Sequence, residues 1–445
     1  MLKKVLTVGL MCFLSLSMIF AGGAEEATAS SSPKSIEVWM ISNPDEKIIN
    51  AFDLVGSDFT AKTGIEVTFV RTPTNDFHTK LVTSVSAGIY PDLIIWNSAP
   101  GVEFCNTGMV ESMDWLIDEI GRDQFGEGAL KMFTVDETLY EAPFLVRPAG
   151  LHARKDWLEK AGYDLTLKTD ENGKYYVENL ETYDDILDAA LKINDPQNGK
   201  YGLGLAYSRK AFGDSAGFCF SVMVSNGARI VDDEGNLAID TPEMRNALDY
   251  LRKVWESGAV PEAATTWDGN SNNQFFLAGD MGMVINSNSI MGKLNADSAV
   301  KPEELVILPL PKGTAGAYMQ ANPESITIFK TKNVEASKEF AKYLLQSDVQ
   351  LKMFETMGFG YYSPLKKDVM NSPMFESLSA NEKVLLNSGD QYVGSCFPGE
   401  PNAKLSAIYA SYFYDDVLSR IAVDNWSNDQ IIKEMEQKAK EMLFD

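Results

Sequence analysis

Between Ser35 and Trp96 the chain alternates apolar runs of strand length with stretches of helical spacing, and that alternation leaves little choice of architecture. Ser35 to Ile41 (SIEVWMI) reads as a strand, and Ile48, Phe52, Val55 and Phe59 then mark one face of a helix that stops at Gly64. Ile65 to Val70 (IEVTFV) is the next strand, and Phe77, Leu81 and Val85 define a second helix ended by Gly88. Pro91 forbids helix just before the apolar run Leu93-Ile94-Ile95, a buried third strand. Strand, helix, strand, helix, strand requires parallel pairing with right-handed crossovers. In open α/β sheets ligands lie beyond the carboxyl ends of the strands. Trp96 and Asn97, at the end of the third strand, are therefore candidate ligand-binding residues. So are Trp39, near the end of the first, and Asn43, which follows it; Trp39 reads as core as readily as site.

The start of the chain has the form of a secretory signal over residues 1–24: Lys3 and Lys4, an apolar stretch from Val5 to Phe20, then the small residues Ala21-Gly22-Gly23-Ala24. The expectation is a periplasmic or extracellular protein with a flexible lead at 25–34. Cys12 sits inside the apolar stretch behind Leu10-Met11, which disfavours a lipid anchor. After the leader, Cys105, Cys219 and Cys396 remain, an odd and widely spaced set that outlines neither a disulfide framework nor a zinc site. One bridge or three free thiols both satisfy that spacing. The formal charge of −24 makes nucleic acid and anionic lipid poor partners. With 445 residues in all, the chain exceeds what one hydrophobic core supports, so two lobes are expected, and no linker separates them.

Further along, two prolines flank the extended run Leu139 to Gly150 (LYEAPFLVRPAG), which reads as a strand passing between lobes. Arg147 lies on that passage and is a candidate through its planar donor fork, or else a lobe-bridging arginine. Asp170 to Gly173 and Asp232 to Asn236 are hairpin turns without the spacing of a calcium loop, so no metal is expected. Thr182 and Thr241 cap helices. Trp267, in a loop rich in Thr, Gly and Asn, is expected to stack on a ligand, with Asp268 beside it. The strand Met281 to Ile285 ends in Asn286-Ser287-Asn288, which puts Asn286 and Asn288 at another strand end, although Asn286 equally serves as a cap. Tyr361 and Tyr362 follow a Gly-Phe-Gly loop and complete the candidates.

Several of these segments, in this order, resemble one family. Ala87-Gly88, Pro91-Asp92-Leu93, Trp96-Asn97 and Thr107-Gly108-Met109 form one motif. Tyr140, Ala142-Pro143-Phe144, Gly150-Leu151, Arg154 to Leu158 and Ala161-Gly162-Tyr163 form another, and Pro261-Glu262, Trp267 and Phe275 to Met283 a third. The chain resembles extracellular solute-binding family 1, the substrate-binding proteins of bacterial ABC importers that include maltodextrin binders. The resemblance implies a two-lobe α/β periplasmic binding protein of type II, a venus flytrap with three interlobe crossings. It places the first lobe at 35–145 and 309–347, and the second at 146–308 and mainly 348–445, with the third crossing at Gln346 to Gln350. It also implies a carbohydrate held in the cleft, delivery to a membrane permease, a monomeric chain and no cofactor. Where maltodextrin binders carry aromatics, this chain has Asn286-Ser287-Asn288-Ser289, which favours a shorter or more polar solute than a long α-glucan.

Enzymatic chemistry has little material. Only His78 and His152 are present, no phosphate loop occurs, and Gly202-Leu203-Gly204 lacks the third glycine of a dinucleotide fingerprint. The 63 acidic residues leave a secreted glycoside hydrolase open, since paired carboxylates have no local signature. A polyol, glycerol phosphate or peptide ligand stays open as well.

Overall fold

Ten strands in two sheets carry the fold. In chain order they are β1 (Ser35–Ile41), β2 (Glu66–Thr72), β3 (Leu93–Trp96), β4 (Ala142–Val146), β5 (Ala149–Arg154), β6 (Tyr201–Leu203), β7 (Met281–Ser287), β8 (Leu305–Leu308), β9 (Glu324–Ile328) and β10 (Ser363–Pro364). This is a computed structural model; it describes residues 35–444 except 44, 98, 172, 233, 289, 295–297, 322 and 400. The expected leader at 1–24 and lead at 25–34 lie outside the described residues, as do Ser98 and Ser289.

The first sheet runs β10-β4-β9-β3-β1-β2 and the second β6-β7-β5-β8. β1 pairs in parallel with both β2 and β3, as the strand-helix alternation requires, and β9 is antiparallel to β3 and β4. Because both faces of the first sheet are covered at its centre, the inner strands β3 and β4 are apolar and buried on both sides. Val38 and Met40 face one core with Leu93 and Ile95, while Trp39 and Ile41 face another with Ile94 and Trp96. The larger core is closed by the helices Glu46–Thr63, Val334–Leu344 and Ser347–Met357, where Phe59 meets Phe340 edge-on at 5.0 Å. The smaller is closed by the helix Thr74–Ser86 through Phe77, Leu81 and Val85. The second sheet has its own core, to which the helices Tyr183–Ile193, Phe212–Ser225, Pro242–Glu256, Phe413–Ala422 and Asn428–Leu443 contribute.

The chain passes from the first sheet to the second through Arg147-Pro148, between β4 and β5, and returns between β8 and β9. The third passage corrects the expectation. The helix Ser347–Met357 buries Val349, Met353, Phe354 and Met357 in the first core, and β10 then pairs with β4. The first lobe's second segment therefore extends well past Leu345, through Phe375. The crossing falls at the helix Ala380–Leu386, which places Val384 and Leu385 in the second core and Leu386 in the first. Around the passages a small cluster of Val146, Ala149, Leu310, Leu365 and Tyr392 seals the junction, and the Tyr392 hydroxyl accepts from the Ala149 N–H at 2.6 Å.

Local signals behave as the sequence predicts. The Thr182 hydroxyl accepts from the Asp185 N–H at 3.1 Å, and the Asp185 carboxylate accepts from the Thr182 N–H at 2.9 Å. Thr182→Ala is expected to cost about 1 kcal/mol in urea unfolding, the usual worth of such a cap. The three cysteines are free, with Cys105 and Cys219 buried and Cys396 half-buried. Among the described residues no group of histidines, cysteines and carboxylates could hold a metal, and no helix is long and apolar enough to cross a membrane.

Candidate functional site

Where the first passage leaves the first sheet, three strands deliver polar and aromatic side chains to one point. Val146 ends β4 and is paired with Ser363 of β10, so Arg147 and Tyr362 leave the sheet side by side. On the other flank Leu145 is paired with Glu324, the first residue of β9, at an irregularity between Glu324 and Ser325. The Arg147 Nη2 donates to Glu324 Oε1 at 2.9 Å, and the Tyr362 hydroxyl donates to the same oxygen at 3.2 Å. The guanidinium lies 5.3 Å from the centre of the Tyr361 ring and 6.0 Å from that of Tyr362, within cation–π range. The two tyrosine rings meet edge-on at 4.9 Å. Glu324 is 3% exposed, whereas the Arg147 side chain is 30% exposed, so the ion pair has an inner acid and an outer base. Burial would lower the Arg147 pKa, but the Glu324 carboxylate and the two tyrosines outweigh it and raise the value. Burial pushes the Tyr362 phenol far up, which keeps it a donor.

The second lobe reaches this point through the end of β7. Its last residues run beside the passage, with Ser287 opposite Ala149 and Asn286 opposite Gly150, and the Asn288 N–H donates to the Pro148 carbonyl at 2.9 Å. The Asn288 amide also donates to the carbonyl of Gly360. Gly360 belongs to the short strap between the helix Ser347–Met357 and β10. The strap turns on Gly358 (φ 76°) and Gly360 (φ 145°), conformations open to glycine. Phe359, between those glycines, packs against both lobes' cores. The strap thus ties a polar strand end of one lobe to the Arg147 cluster of the other.

Behind Asn288 lies a polar wall. The Asn286 amide donates to Asn273 Oδ1 at 2.8 Å, and Asn272 and Asn273 are both buried at the start of the helix Ser271–Leu277. Burial lifts the nearby Asp214 carboxyl to about 7, with hydrogen bonding to Asn272 opposing the rise and the charge of Asp268 adding to it. His152, fully buried on β5, is pushed down to about 4 by its burial, with hydrogen bonds to Gly150 and Asn288 opposing the fall. It is a neutral imidazole here.

The structure therefore gathers Arg147, Tyr361, Tyr362 and Asn288, with Asn286 beside them, and leaves the other candidates elsewhere. Trp39 and Trp96 lie inside the smaller core of the first sheet, 5% and 4% exposed. Trp96 packs on Phe77 with ring centres 4.5 Å apart, and Trp39 is covered by Lys80, whose ammonium sits 4.1 Å from the indole. Standing at a strand's end does not suffice, because both indoles leave their strands on the face that the helix Thr74–Ser86 covers. Asn97 is half-buried just past β3. Asn43 is a buried turn residue whose Oδ1 accepts from the Asp45 N–H at 2.9 Å. Trp267 belongs to the second core, 4% exposed, with Phe275 stacked at 5.0 Å and 19°. Its neighbour Asp268 is exposed and accepts from the Asn270 N–H and the Ser271 hydroxyl, ordering the entry to the next helix.

Sequence reasoning misses Glu324, Gly360, Asn272, Asn273 and Asp214. A signal for Glu324 is available: an arginine on a buried passage calls for a carboxylate, and Glu324 heads an apolar strand.

The family pattern described as bacterial extracellular solute-binding protein matches residues 55–383. The chain is 23% identical over 387 residues to the maltotriose-binding protein of Pyrococcus abyssi, covering 84% of this chain and 75% of that one. To YcjN of Escherichia coli it is 26% identical over 317 residues, 69% of this chain and 68% of that one. Among solved structures, the sugar-binding protein MalE of Xanthomonas citri superposes with a TM-score of 0.75 at 19% identity, over 92% of this chain and 97% of that one. An ABC transporter solute-binding protein of Thermotoga lettingae bound to α-D-tagatose gives 0.71 at 22% identity, over 92% and 100%. Two sheets with separate cores, three passages and a family match spanning most of the chain agree, and the chain belongs to the bacterial extracellular solute-binding proteins.

Proposed function

We propose that this protein captures a small carbohydrate between its two lobes and hands it to the membrane permease of an ABC importer. The observation that carries this reading is the Arg147–Tyr361–Tyr362 cluster tied through Gly360 to Asn288 on the other lobe. Half-exposed Tyr361 offers an aromatic face for the CH side of a pyranose ring, while arginine and asparagine donors suit hydroxyls. Sugar-binding relatives and sugar-bound structures of the same fold support it. A guest touching both lobes favours the closed arrangement by the contacts it makes only there. The protein acts as an exported single chain that binds and releases its solute unchanged, without a cofactor and without nucleic acid.

A thermal-shift panel of neutral mono- and oligosaccharides tests the reading, because a ligand at 100 times its dissociation constant adds about 2.7 kcal/mol of stability. Recovery of the sugar intact separates binding from glycoside hydrolysis. Tyr361→Ala is expected to weaken the stabilising sugar by about 2 kcal/mol, roughly thirtyfold in calorimetric titration, as the loss of an aromatic anchor does. Stabilisation by a polyol or peptide, with all sugars inert, would replace the carbohydrate by that solute.

A further inference from the structure

We propose that Glu324 is a specificity-determining residue: by holding the Arg147 guanidinium in a neutral pair, it restricts the guest to uncharged molecules. The inference rests on the cleft reading above and concerns the charge its guest can carry. The pair is oriented, with the carboxylate inside at 3% exposure and the guanidinium outside at 30%. One edge of the guanidinium is committed to Glu324 Oε1, the same oxygen that accepts from Tyr362. The Arg147 side chain stays 30% exposed toward the cleft while its charge is already balanced by Glu324. Donors without net charge suit a hydroxyl. A carboxylate or phosphate gains most from arginine when it takes the whole fork, and here Glu324 occupies part of it. Such an anion would also sit close to the Glu324 charge in a low-dielectric site, where like charges repel strongly. Removing the Glu324 charge while keeping its shape would reverse this preference and turn the cluster into an anion site.

Two measurements decide it. In the first, wild-type protein is titrated with the neutral panel sugars, their uronates and their phosphate esters; neutral forms should bind at least about tenfold tighter than any anionic counterpart, a difference of one decade in affinity. In the second, inorganic phosphate is the probe. Its addition should raise the melting temperature of Glu324→Gln saturably. Wild type and the double variant Arg147→Met/Glu324→Gln should show only the small salt effect common to all three. Equal or tighter binding of an anionic sugar by wild type would overturn the proposal and leave the carbohydrate reading standing. So would a folded Glu324→Gln that responds to phosphate no more than the double variant. If no sugar of either charge binds, the carbohydrate reading fails while the phosphate series still decides the role of Glu324. Should Glu324→Gln not fold, the wild-type titrations decide alone.

Discussion

Trp96→Ala is expected to lower the unfolding free energy by about 3–5 kcal/mol while the folded remainder binds its solute as tightly as wild type. The indole is 4% exposed at the end of β3, packed on Phe77 at 4.5 Å in the core that also holds Trp39, Ile94, Leu81 and Phe329. Truncation removes a large apolar surface and leaves a cavity between the sheet and the helix Thr74–Ser86. A helix anchored to its sheet on one side cannot collapse fully into such a gap. The backbone at this position has its own support, since the Ser325 hydroxyl donates to the Trp96 carbonyl at 2.9 Å, so the strand end should persist. Urea unfolding reads the first quantity, and calorimetric titration under conditions where the variant is folded reads the second. The opposite pattern, with near-normal stability and affinity down tenfold or more, would return Trp96 to the ligand cleft.

That contrast shows which features are legible in the sequence. The first sheet is readable because its inner strand β3 is buried on both faces and its helices keep one apolar stripe. Runs such as Leu93-Ile94-Ile95 and spacings such as Ile48, Phe52, Val55 and Phe59 fit few alternative structures. Family order supplies the two-lobe arrangement, which the sheets display. The face on which a strand-end side chain emerges is harder to read. Trp39 and Trp96 share the face of Ile94, and only knowledge of which helix covers that face tells core from cleft. Trp267 misleads for a related reason. Its polar loop suggests solvent, but Phe275, eight positions on, supplies the stacking partner. The third crossing, which the resemblance implies at Gln346 to Gln350, falls later in the structure, at the helix Ala380–Leu386. The apolar spacing of Val349, Met353 and Met357 continues into a helix on the first core. Arg147 enters as a candidate by its donor fork on a passage between lobes and the tyrosine pair by its place after a Gly-Phe-Gly loop, and the structure sets them together. Their organising partner, Glu324, is distant in sequence, and its pairing with Arg147 is seen when β4, β9 and β10 are set side by side.

Glu141→Gln is expected to stabilise the protein by about 3 kcal/mol at pH 8 and to have little effect near pH 4.5, a dependence that follows from linkage. Glu141 is fully buried beside β4, where Oε1 accepts from the Val102 N–H at 3.1 Å and Oε2 is in hydrogen-bond contact with the Ser325 hydroxyl, which the carboxyl donates to when protonated. Burial raises its pKa from 4.5 to about 7, against the lowering effect of those hydrogen bonds. A carboxyl whose folded pKa lies above its unfolded one holds a proton in the native state that the unfolded chain has released. Its contribution is therefore complete below the unfolded value and is lost as pH rises through the folded one. At about 1.4 kcal/mol per unit, a rise of this size amounts to about 3 kcal/mol. Glutamine reproduces the protonated form: its carbonyl accepts from Val102, its amide donates to the Ser325 hydroxyl, and that hydroxyl keeps its bond to the Trp96 carbonyl. Asp214 and Asp415, raised by burial to about 7 and about 6, act in the same direction, and His152, lowered to about 4, acts in the opposite one. Comparing wild type and variant at each pH cancels these shared contributions and isolates position 141. Urea unfolding of both proteins at pH 5, 6, 7 and 8 should give curves that diverge as pH rises. A constant difference across that range would mean that Glu141 keeps one protonation state throughout, and the burial argument would fail with it.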